Sequence, residues 1–221
     1  MKTKALVLLS GGQDSATCLS LAKQTYDEIY TLAFNYGQRH QRELTCSAKL
    51  SQIAEAQLHF TLFVPTLQHL GGSALVETDS TIDKPHSKNK NLPASFVPGR
   101  NYIFLGFAAA KAYQLDIHDL YTGVCETDYS GYPDCRNDSI KAISYALNLC
   151  LDYQIIIHTP LMNINKAQTV QMMDNLGTLD WYKHTHTCYE GQYPPCGKCP
   201  ACAIRANGFK EAGIKDPLVE G

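Results

Sequence analysis

ALVLLSGGQDS, residues 5–15, is the stretch that decides the fold of this 221-residue chain. Its first five residues are all apolar, which is typical of a strand that is buried on both faces of a parallel sheet. Two glycines then allow a tight turn, and residues 16–24 follow with the apolar spacing of a helix. A strand, a turn and a helix in direct succession predict the first unit of an α/β domain.

The same alternation continues along most of the chain. Strands are predicted over residues 5–9, 29–34, 58–63, 120–124 and 154–158, and helices over residues 16–24, 40–56, 101–114, 137–150 and 165–176. The last helix is predicted to open on a capping box formed by Asn165 and Gln168. This pattern predicts a doubly wound, mainly parallel five-stranded sheet, in which ligands bind beyond the carboxyl ends of the strands.

Two segments interrupt this alternation. Residues 66–99 are too long for an ordinary connection and are typical of a lid, a binding loop or a disordered piece. The stretch from His184 onward is rich in cysteine, proline and glycine. We therefore predict an α/β domain over residues 1–183 and a separate, metal-held segment over residues 184–221.

Composition and charge narrow the class of protein. The net charge of −2 and the pI of about 6.4 give no general reason to expect a nucleic-acid partner. No window approaches ~20 consecutive apolar residues, so no membrane span is predicted. The apolar run near the N-terminus is too short for a signal-peptide core. We therefore expect a cytoplasmic protein.

The loop over residues 10–15 has the features of a phosphate site. Its glycines let the backbone approach a ligand, the helix N-terminus offers unpaired N–H groups, and Ser10 and Ser15 add hydroxyl donors. Asp14 would repel a bare phosphate, so it is predicted to hold Mg²⁺ or to cap the helix. The alternative without a ligand is a glycine turn followed by an ordinary helix cap.

Other phosphate-binding motifs are absent from the sequence, since neither G-x-x-x-x-G-K-[ST] nor G-x-G-x-x-G occurs. The pattern S-G-G-x-D-S resembles the pyrophosphate loop of the ATP pyrophosphatase superfamily, whose members split ATP between the α and β phosphates and activate substrates as adenylates. The resemblance implies that ATP is bound by Leu8, Leu9, Ser10, Gly11, Gly12, Gln13, Asp14, Ser15, Ala16, Thr17 and Cys18.

Four of the nine cysteines crowd together near the C-terminus, with the spacing C-x7-C-x2-C-x2-C. These are Cys188, Cys196, Cys199 and Cys202. Four thiolates on a tight turn suit a closed, structural Zn²⁺ site, with an iron–sulfur cluster or redox-active thiols as alternatives and with His184 and His186 as competing ligands. The nucleobase-deaminase signature fails, because no histidine is followed two places later by glutamate.

Further motifs follow the remaining strands in a set order: residues 34–40 (FNYGQRH), 96–101 (FVPGRN), 124–136 (VCETDYSGYPDCR), 160–161 (PL) and Lys166. Together with the phosphate loop and the four cysteines, this combination resembles the 7-cyano-7-deazaguanine synthases. The resemblance covers essentially the whole chain, from Ser10 to Phe209.

The resemblance implies a carbon–nitrogen ligase of queuosine biosynthesis. Enzymes of this family use ATP to convert 7-carboxy-7-deazaguanine and ammonia into the nitrile through adenylated intermediates, so small-molecule substrates, no direct nucleic-acid partner and a homodimer are expected. A tRNA sulfurtransferase of the same superfamily is the alternative function, which needs a persulfide-carrying cysteine and a basic RNA-binding surface. A non-enzymatic zinc-binding interaction module is the third hypothesis.

The resemblance also implies roles for individual side chains. Arg100 and Lys166 are expected to clamp phosphate or carboxylate groups. Asp134 is expected to accept hydrogen bonds from the base, Arg136 to pair with the substrate carboxylate, and Tyr132 to stack on the base. The predicted catalytic set is Asp14, Arg100, Asp134, Arg136 and Lys166.

Three residues next to these motifs are expected to be structural. Cys135 is assigned to packing, because nitrile formation needs no sulfur nucleophile. His40 and Glu43 are interpreted as a pair at the start of the second helix.

Overall fold

The structure is a computed structural model that describes residues 2–38, 41–70, 73, 86, 89–127 and 131–219. His40 lies outside these residues, and so does most of the segment over 71–88. The predicted pair of His40 and Glu43 and the predicted lid therefore fall partly outside the described chain.

Five strands form one parallel sheet. The strands are β1 (Lys4–Leu8), β2 (Glu28–Asn35), β3 (Leu58–Phe63), β4 (Asp119–Tyr121) and β5 (Ile156–His158). Their order is β3-β2-β1-β4-β5, and Ala5 of β1 is in register with Ile29 on one side and Asp119 on the other. From β1, the chain adds β2 and β3 on one side of the sheet and then crosses over to add β4 and β5 on the other side. Sheets of this kind open a ligand crevice at that switch point, between β1 and β4. The predicted parallel sheet is confirmed.

Helices cover both faces of this sheet. They are α1 (Gln13–Thr25), α2 (Arg42–Ile53), α3 (Thr66–Leu70), α4 (Arg100–Gln114), α5 (Asn137–Leu151), α6 (Lys166–Asn175) and α7 (Pro200–Ala212). Successive residues of β1 alternate between two cores: Leu6 packs with α4 and α5, whereas Ala5 and Val7 pack with α1, α6 and α7. Burial on both faces explains why every residue of β1 after Lys4 is apolar.

The fourth strand is shorter than predicted. Its ladder ends at Tyr121, whereas the sequence pattern predicts a strand as far as Val124. Thr122 still donates its N–H to the carbonyl of His158 at 3.0 Å, and the chain then leaves the sheet. Gly123 lies so close to α1 that a Cβ there would be 2.9 Å from the carbonyl carbon of Asp14. Residues 122–124 are therefore irregular chain that passes close to α1 at Gly123, rather than further strand.

The start of α6 follows its prediction. The side chain of Asn165 accepts a hydrogen bond from the N–H of Gln168 at 2.9 Å, and the side chain of Gln168 accepts one from the N–H of Asn165 at 2.8 Å. The capping box is confirmed. Since α6 begins at Lys166, this cap also determines where the first side chain of the helix lies.

The C-terminal helix α7 is anchored in the same core as the sheet. Phe209 is buried beside Tyr182, and Arg205 is only 4% exposed. The guanidinium of Arg205 donates to both carboxylate oxygens of Asp216, at 2.6 and 2.7 Å, and to the hydroxyl of Thr185 at 2.7 Å. The boundary at residue 184 stays a prediction about domain organisation. Within the part of the chain that the structure describes, no helix has the length and apolar character needed to cross a membrane.

Candidate active site

A cavity of about 360 Å³ opens at the carboxyl ends of β1, β2 and β4. Its floor is the loop after β1, and its walls come from the residues that follow β2 and β4 and from the first residues of α2, α4 and α6. Residues 186–189 of the C-terminal segment close another side. The cavity therefore lies at the switch point of the sheet, where the topology predicts a ligand.

The loop over residues 10–15 is organised by its own hydrogen bonds. The hydroxyl of Ser15 accepts from the N–H of Gly11 at 3.2 Å and donates to the carbonyl of Gly12 at 3.0 Å. The hydroxyl of Ser10 lies 3.1 Å from that of Ser15 and accepts from the N–H of Gly12 at 3.3 Å. Because α1 begins at Gln13, the loop carries the open N-terminus of that helix into the cavity.

Gly11 is required at its position for two reasons. Its φ of +92° lies in the region that favours glycine, and a Cβ there would be 2.3 Å from the carbonyl oxygen of Glu43. The start of α2 is therefore pressed against the loop. This close approach fixes the distance between the phosphate loop and the residues that follow β2.

Asp14 and Lys166 form an ion pair inside the cavity. The ammonium of Lys166 lies 2.7 and 2.8 Å from the two carboxylate oxygens of Asp14. The side chain of Lys166 is 13% exposed, and that of Asp14 is 29% exposed. A lysine held this close to the phosphate loop provides a positive charge for a polyanion. Two residues that are 152 positions apart in sequence, each predicted separately, are thus brought together.

The predicted ATP-binding residues divide into two groups. Those that line the cavity are Leu8, Leu9, Ser10, Gly12, Gln13, Asp14 and Ser15, and those that do not are Gly11, Ala16, Thr17 and Cys18. Thr17 is fully buried and shares a 2.6 Å hydrogen bond with the hydroxyl of Tyr182. Burial also raises the pKa of the Cys18 thiol far above its usual range. Both side chains pack α1 against the C-terminal half of the chain.

The predicted catalytic residues of the α4 and α5 region also divide. Arg100 lines the cavity, with its guanidinium carbon 5.8 Å from the centre of the Tyr132 ring. Asp134 lies outside the lining and accepts from the N–H of Asn101 at 2.9 Å, which caps the start of α4. Arg136 is exposed and precedes α5. Arg100, Asp14 and Lys166 therefore share one cavity, and Asp134 and Arg136 do not line it.

Tyr132 and Cys135 line the cavity from the same segment. Tyr132 is buried, and its hydroxyl is 2.6 Å from that of Ser95. The thiol of Cys135 accepts from the side-chain amide of Asn101 at 3.2 Å and belongs to the main hydrophobic core. The predicted packing role of Cys135 agrees with this position.

The four C-terminal cysteines meet at one point. Their sulfur atoms lie within 4.8 Å of one another, and those of Cys196 and Cys202 are 3.9 Å apart. Hydrogen bonds from the backbone N–H groups of Lys198 and Cys199 lower the pKa of Cys196 to about 7. A closed set of four thiols, one of which is readily ionised, fits a tetrahedral ion with metal–sulfur bonds of ~2.3 Å.

The cysteine cluster is joined to the phosphate loop. The N–H of His186 donates to the carbonyl of Gly11 at 2.9 Å, and the side chain of His186 is hydrogen-bonded to the carbonyl of Cys188 at 3.1 Å. Residues 186–189, which include the first cysteine, line the cavity. Any metal held by the four cysteines would therefore support one wall of the cavity.

Comparison with known proteins assigns this arrangement to a family. The family model described as "Queuosine biosynthesis protein QueC" matches residues 4–213. The chain belongs to this family. Among its curated relatives, the 7-cyano-7-deazaguanine synthase of Chromobacterium violaceum is 47% identical over 98% of this chain and 93% of the relative. The protein of the same name from Bacillus subtilis is 44% identical, with 95% of each chain covered.

A solved structure shares the fold of this QueC family member at much lower identity. It is described as a 4-thiouridine synthetase in complex with RNA and with bound ATP, and it matches with a TM-score of 0.54 and 16% identity. The match covers 96% of this chain but 50% of that one. At this level of identity the likeness supports the fold alone.

Glu43 is a cavity residue that the sequence pattern does not identify. It is predicted to be a structural partner of His40, yet it lines the cavity together with Tyr36 and Arg100. Burial raises the pKa of the Glu43 carboxyl to about 7, while the nearby charge of Arg100 acts in the opposite direction. The signal that could have revealed it is its place just after β2, since residues that follow the strands of such a sheet converge at one edge.

Proposed function

We propose that this chain is an ATP-dependent ligase that converts 7-carboxy-7-deazaguanine and ammonia into 7-cyano-7-deazaguanine, in queuosine biosynthesis. The observation that carries the proposal is the shared cavity, in which the phosphate loop and the ion pair of Asp14 and Lys166 face Arg100. The curated relatives support the same conclusion, because they are named for this activity and match this chain over nearly their full length. They also favour it over the alternative, a tRNA sulfurtransferase.

ATP is proposed to lie with its phosphates on the loop over residues 10–15. The cavity volume of about 360 Å³ falls within the range of small-molecule sites. Among the described residues, two buried polar atoms of the cavity wall lack a hydrogen-bond partner, Nε2 of Gln13 and Oγ1 of Thr187. Unsatisfied buried donors are rare in folded proteins, so these atoms are well suited to a polar ligand.

Activation of the carboxylate is the first chemical step in this proposal. A carboxylate is a poor electrophile, and its attack on the α phosphorus of ATP releases pyrophosphate and leaves an acyl adenylate. Ammonia then displaces AMP to give the amide, and a second activation at the amide oxygen followed by loss of AMP leaves the nitrile. Negative charge on the phosphates is stabilised by the N–H groups at the start of α1 and by Lys166 and Arg100.

Asp14 is proposed to change partners when the nucleotide binds. Both of its carboxylate oxygens contact the ammonium of Lys166. When Lys166 turns to the phosphates, Asp14 is free to bind Mg²⁺, a hard ion that prefers carboxylate and phosphate oxygens. When bound, this ion would neutralise phosphate charge.

The remaining assignments are proposals for the substrate and the assembly. Asp134 is proposed to read the base, Arg136 to pair with the substrate carboxylate, and Tyr132 to stack on the ring. For Asp134 and Arg136, these roles require the substrate to extend beyond the described cavity lining toward residues 131–136. The cysteines Cys188, Cys196, Cys199 and Cys202 are proposed to hold one structural Zn²⁺, and the enzyme is proposed to be a cytoplasmic homodimer.

The test is a direct assay of the reaction. The protein is incubated with ATP, Mg²⁺, ammonia and 7-carboxy-7-deazaguanine, and the masses of the products and the nucleotides released are followed. The amide and then the nitrile should form, with AMP and pyrophosphate. If neither product forms while the same protein thiolates RNA, the sulfurtransferase replaces the proposed function.

A further inference from the structure

The strongest unexplained feature of the cavity is the carboxyl group of Glu43. Two carboxylates line the cavity among the described residues, and one of them, Asp14, is engaged by Lys166 at 2.7 Å. Among the described residues, Glu43 makes no hydrogen bond or ion pair through its side chain, although it lies close enough to Arg100 to feel its charge. Glu43 is half-buried at the cavity, so a carboxylate without a partner there is well placed to meet a polar ligand or to take up a proton.

The backbone around Glu43 is held in place from several sides. Its carbonyl oxygen is the atom that a Cβ on Gly11 would meet at 2.3 Å, so the first turn of α2 is packed directly against the phosphate loop. The titratable groups that face Glu43 come from different parts of the chain: Tyr36 after β2, Arg100 on α4, Tyr189 of the C-terminal segment and Cys46 on its own helix. The backbone at Glu43 is therefore held by packing, while its carboxylate has no hydrogen-bond partner among the described residues.

We propose that the Glu43 carboxylate contacts the ammonia nitrogen and accepts the proton that it loses when it attacks the acyl adenylate. This inference rests on the proposed ligase function and assigns a further catalytic residue to it. Asp14 and Lys166 serve the phosphates, and Glu43 serves the nitrogen. The two carboxylates of the cavity thus have different tasks because only one of them is bound by a lysine.

The step balances as follows. The nitrogen lone pair forms the C–N bond while the C–O bond to AMP breaks, and AMP leaves with that electron pair. The nitrogen, which carries three hydrogens and a positive charge after attack, gives one proton to the Glu43 carboxylate, so the products are the amide, AMP and a protonated Glu43. Burial, which raises the pKa of this carboxyl to about 7, suits the exchange of a proton near neutral pH. Solvent then takes the proton.

The experiment separates activation from amide formation. Carboxylate activation is followed without ammonia as exchange of labelled pyrophosphate into ATP in the presence of 7-carboxy-7-deazaguanine, and amide formation is followed with ammonia added. Glu43→Gln should keep pyrophosphate exchange within about threefold of the unmodified protein. The same variant should lose amide formation by roughly 10²–10⁴-fold, the usual range for a missing general base.

The pH profile and a conservative variant distinguish a base from a residue that only packs. At constant free ammonia, the rate of amide formation in the unmodified protein should rise as pH passes through about 7, and this rise should be absent in Glu43→Gln. Glu43→Asp should recover part of the rate, and it carries the test if the glutamine variant does not fold. Glu55→Gln, on a side chain that is 83% exposed, is the matched control and should behave as the unmodified protein.

Three results would overturn the inference. A parallel fall of exchange and amide formation would place Glu43 in the binding of ATP or the base, and an unchanged amide rate or an unchanged pH profile would leave it without a role as base. Failure of the proposed function looks different, because the unmodified protein would then show no carboxylate-dependent exchange at all.

Discussion

The two ends of the chain build the same cavity by different means. Near the N-terminus, the loop over residues 10–15 lies between a strand with a buried centre and the first helix, and its own serines complete its hydrogen bonds. Near the C-terminus, no helix or strand covers residues 185–199, yet this segment forms a wall of the cavity and contains three of the four clustered cysteines. The first region takes its shape from burial, and the second is expected to take its shape from the metal ion proposed for its cysteines.

The phosphate loop and the C-terminal segment are joined by a hydrogen bond from the N–H of His186 to the carbonyl of Gly11, at 2.9 Å. A defect at the clustered cysteines can therefore reach the phosphate loop, whereas the two hydrophobic cores around the sheet do not contain these cysteines. Stability and activity should therefore be separable in one direction. Loss of the metal should damage the cavity, and damage to the phosphate loop should leave the metal in place.

The largest effect is expected from removal of a metal ligand. Cys199→Ser leaves three thiols, and structural zinc sites contribute about 10–16 kcal/mol to folding in zinc-finger peptides. The variant should lose its bound metal. It should also lose its turnover, because the position of residues 186–189 in the cavity wall depends on the metal site. The far-ultraviolet circular dichroism of the sheet domain should persist. Elemental analysis and the nitrile assay check this outcome.

Cys150→Ser is the control for that substitution, since Cys150 is an exposed cysteine of α5. It should keep both the metal and the activity. Full metal content and full activity in Cys199→Ser would refute the idea that the C-terminal wall depends on ligation. Iron in place of zinc would overturn the assignment of the ion.

Asp14→Ala tests the opposite direction. Removing this carboxylate leaves Lys166 without its partner at 2.7 Å and removes the proposed Mg²⁺ ligand, so turnover should fall by roughly 10³-fold, or about 4 kcal/mol of transition-state stabilisation. The metal content should not change. The control is Asp180→Ala, whose side chain is 83% exposed. Loss of the metal in Asp14→Ala would show that the two regions are coupled both ways.

Gly11→Ala probes the contact between loop and helix. The added methyl group would lie 2.3 Å from the carbonyl of Glu43, and the φ of +92° disfavours any side chain, so a loss of about 1–3 kcal/mol of stability is expected. Gly106→Ala is the matched control, because its Cβ would meet no atom within 4 Å and it lies inside α4. That variant should instead gain roughly 0.5–1 kcal/mol. Thermal unfolding of both variants decides the point, and equal shifts would mean that the packing is looser than described.

The sequence predicts the sheet and both binding regions because each leaves a local mark. Buried parallel strands are continuously apolar, the glycines of the loop follow the first of them directly, and the cysteines have the spacing of a metal turn. The length of β4 could not be predicted, since Thr122 and Val124 are β-branched and buried like strand residues although the chain has already left the sheet. The role of Glu43 could not be predicted either, because a charged residue at the start of a helix looks like an ordinary cap until packing shows that it faces a cavity.

The smallest expected effect is on the pH dependence of stability, and it comes from Glu43, which lies between the phosphate loop and Tyr189 of the C-terminal segment. Burial raises the pKa of Glu43 from its ordinary value of 4.5 to about 7, so between these values the folded protein binds a proton that the unfolded chain releases. Stability should therefore fall as pH rises through this window. Glu43→Gln has no such proton, so its melting temperature relative to the unmodified protein should be higher at about pH 8 than at about pH 5. Glu55→Gln should show no such change between the two conditions. If the difference in melting temperature between Glu43→Gln and the unmodified protein is the same at both pH values, Arg100 keeps Glu43 ionised throughout. Both carboxylates of the described cavity lining would then be neutralised by their neighbours, and Glu43 would not be available to accept a proton.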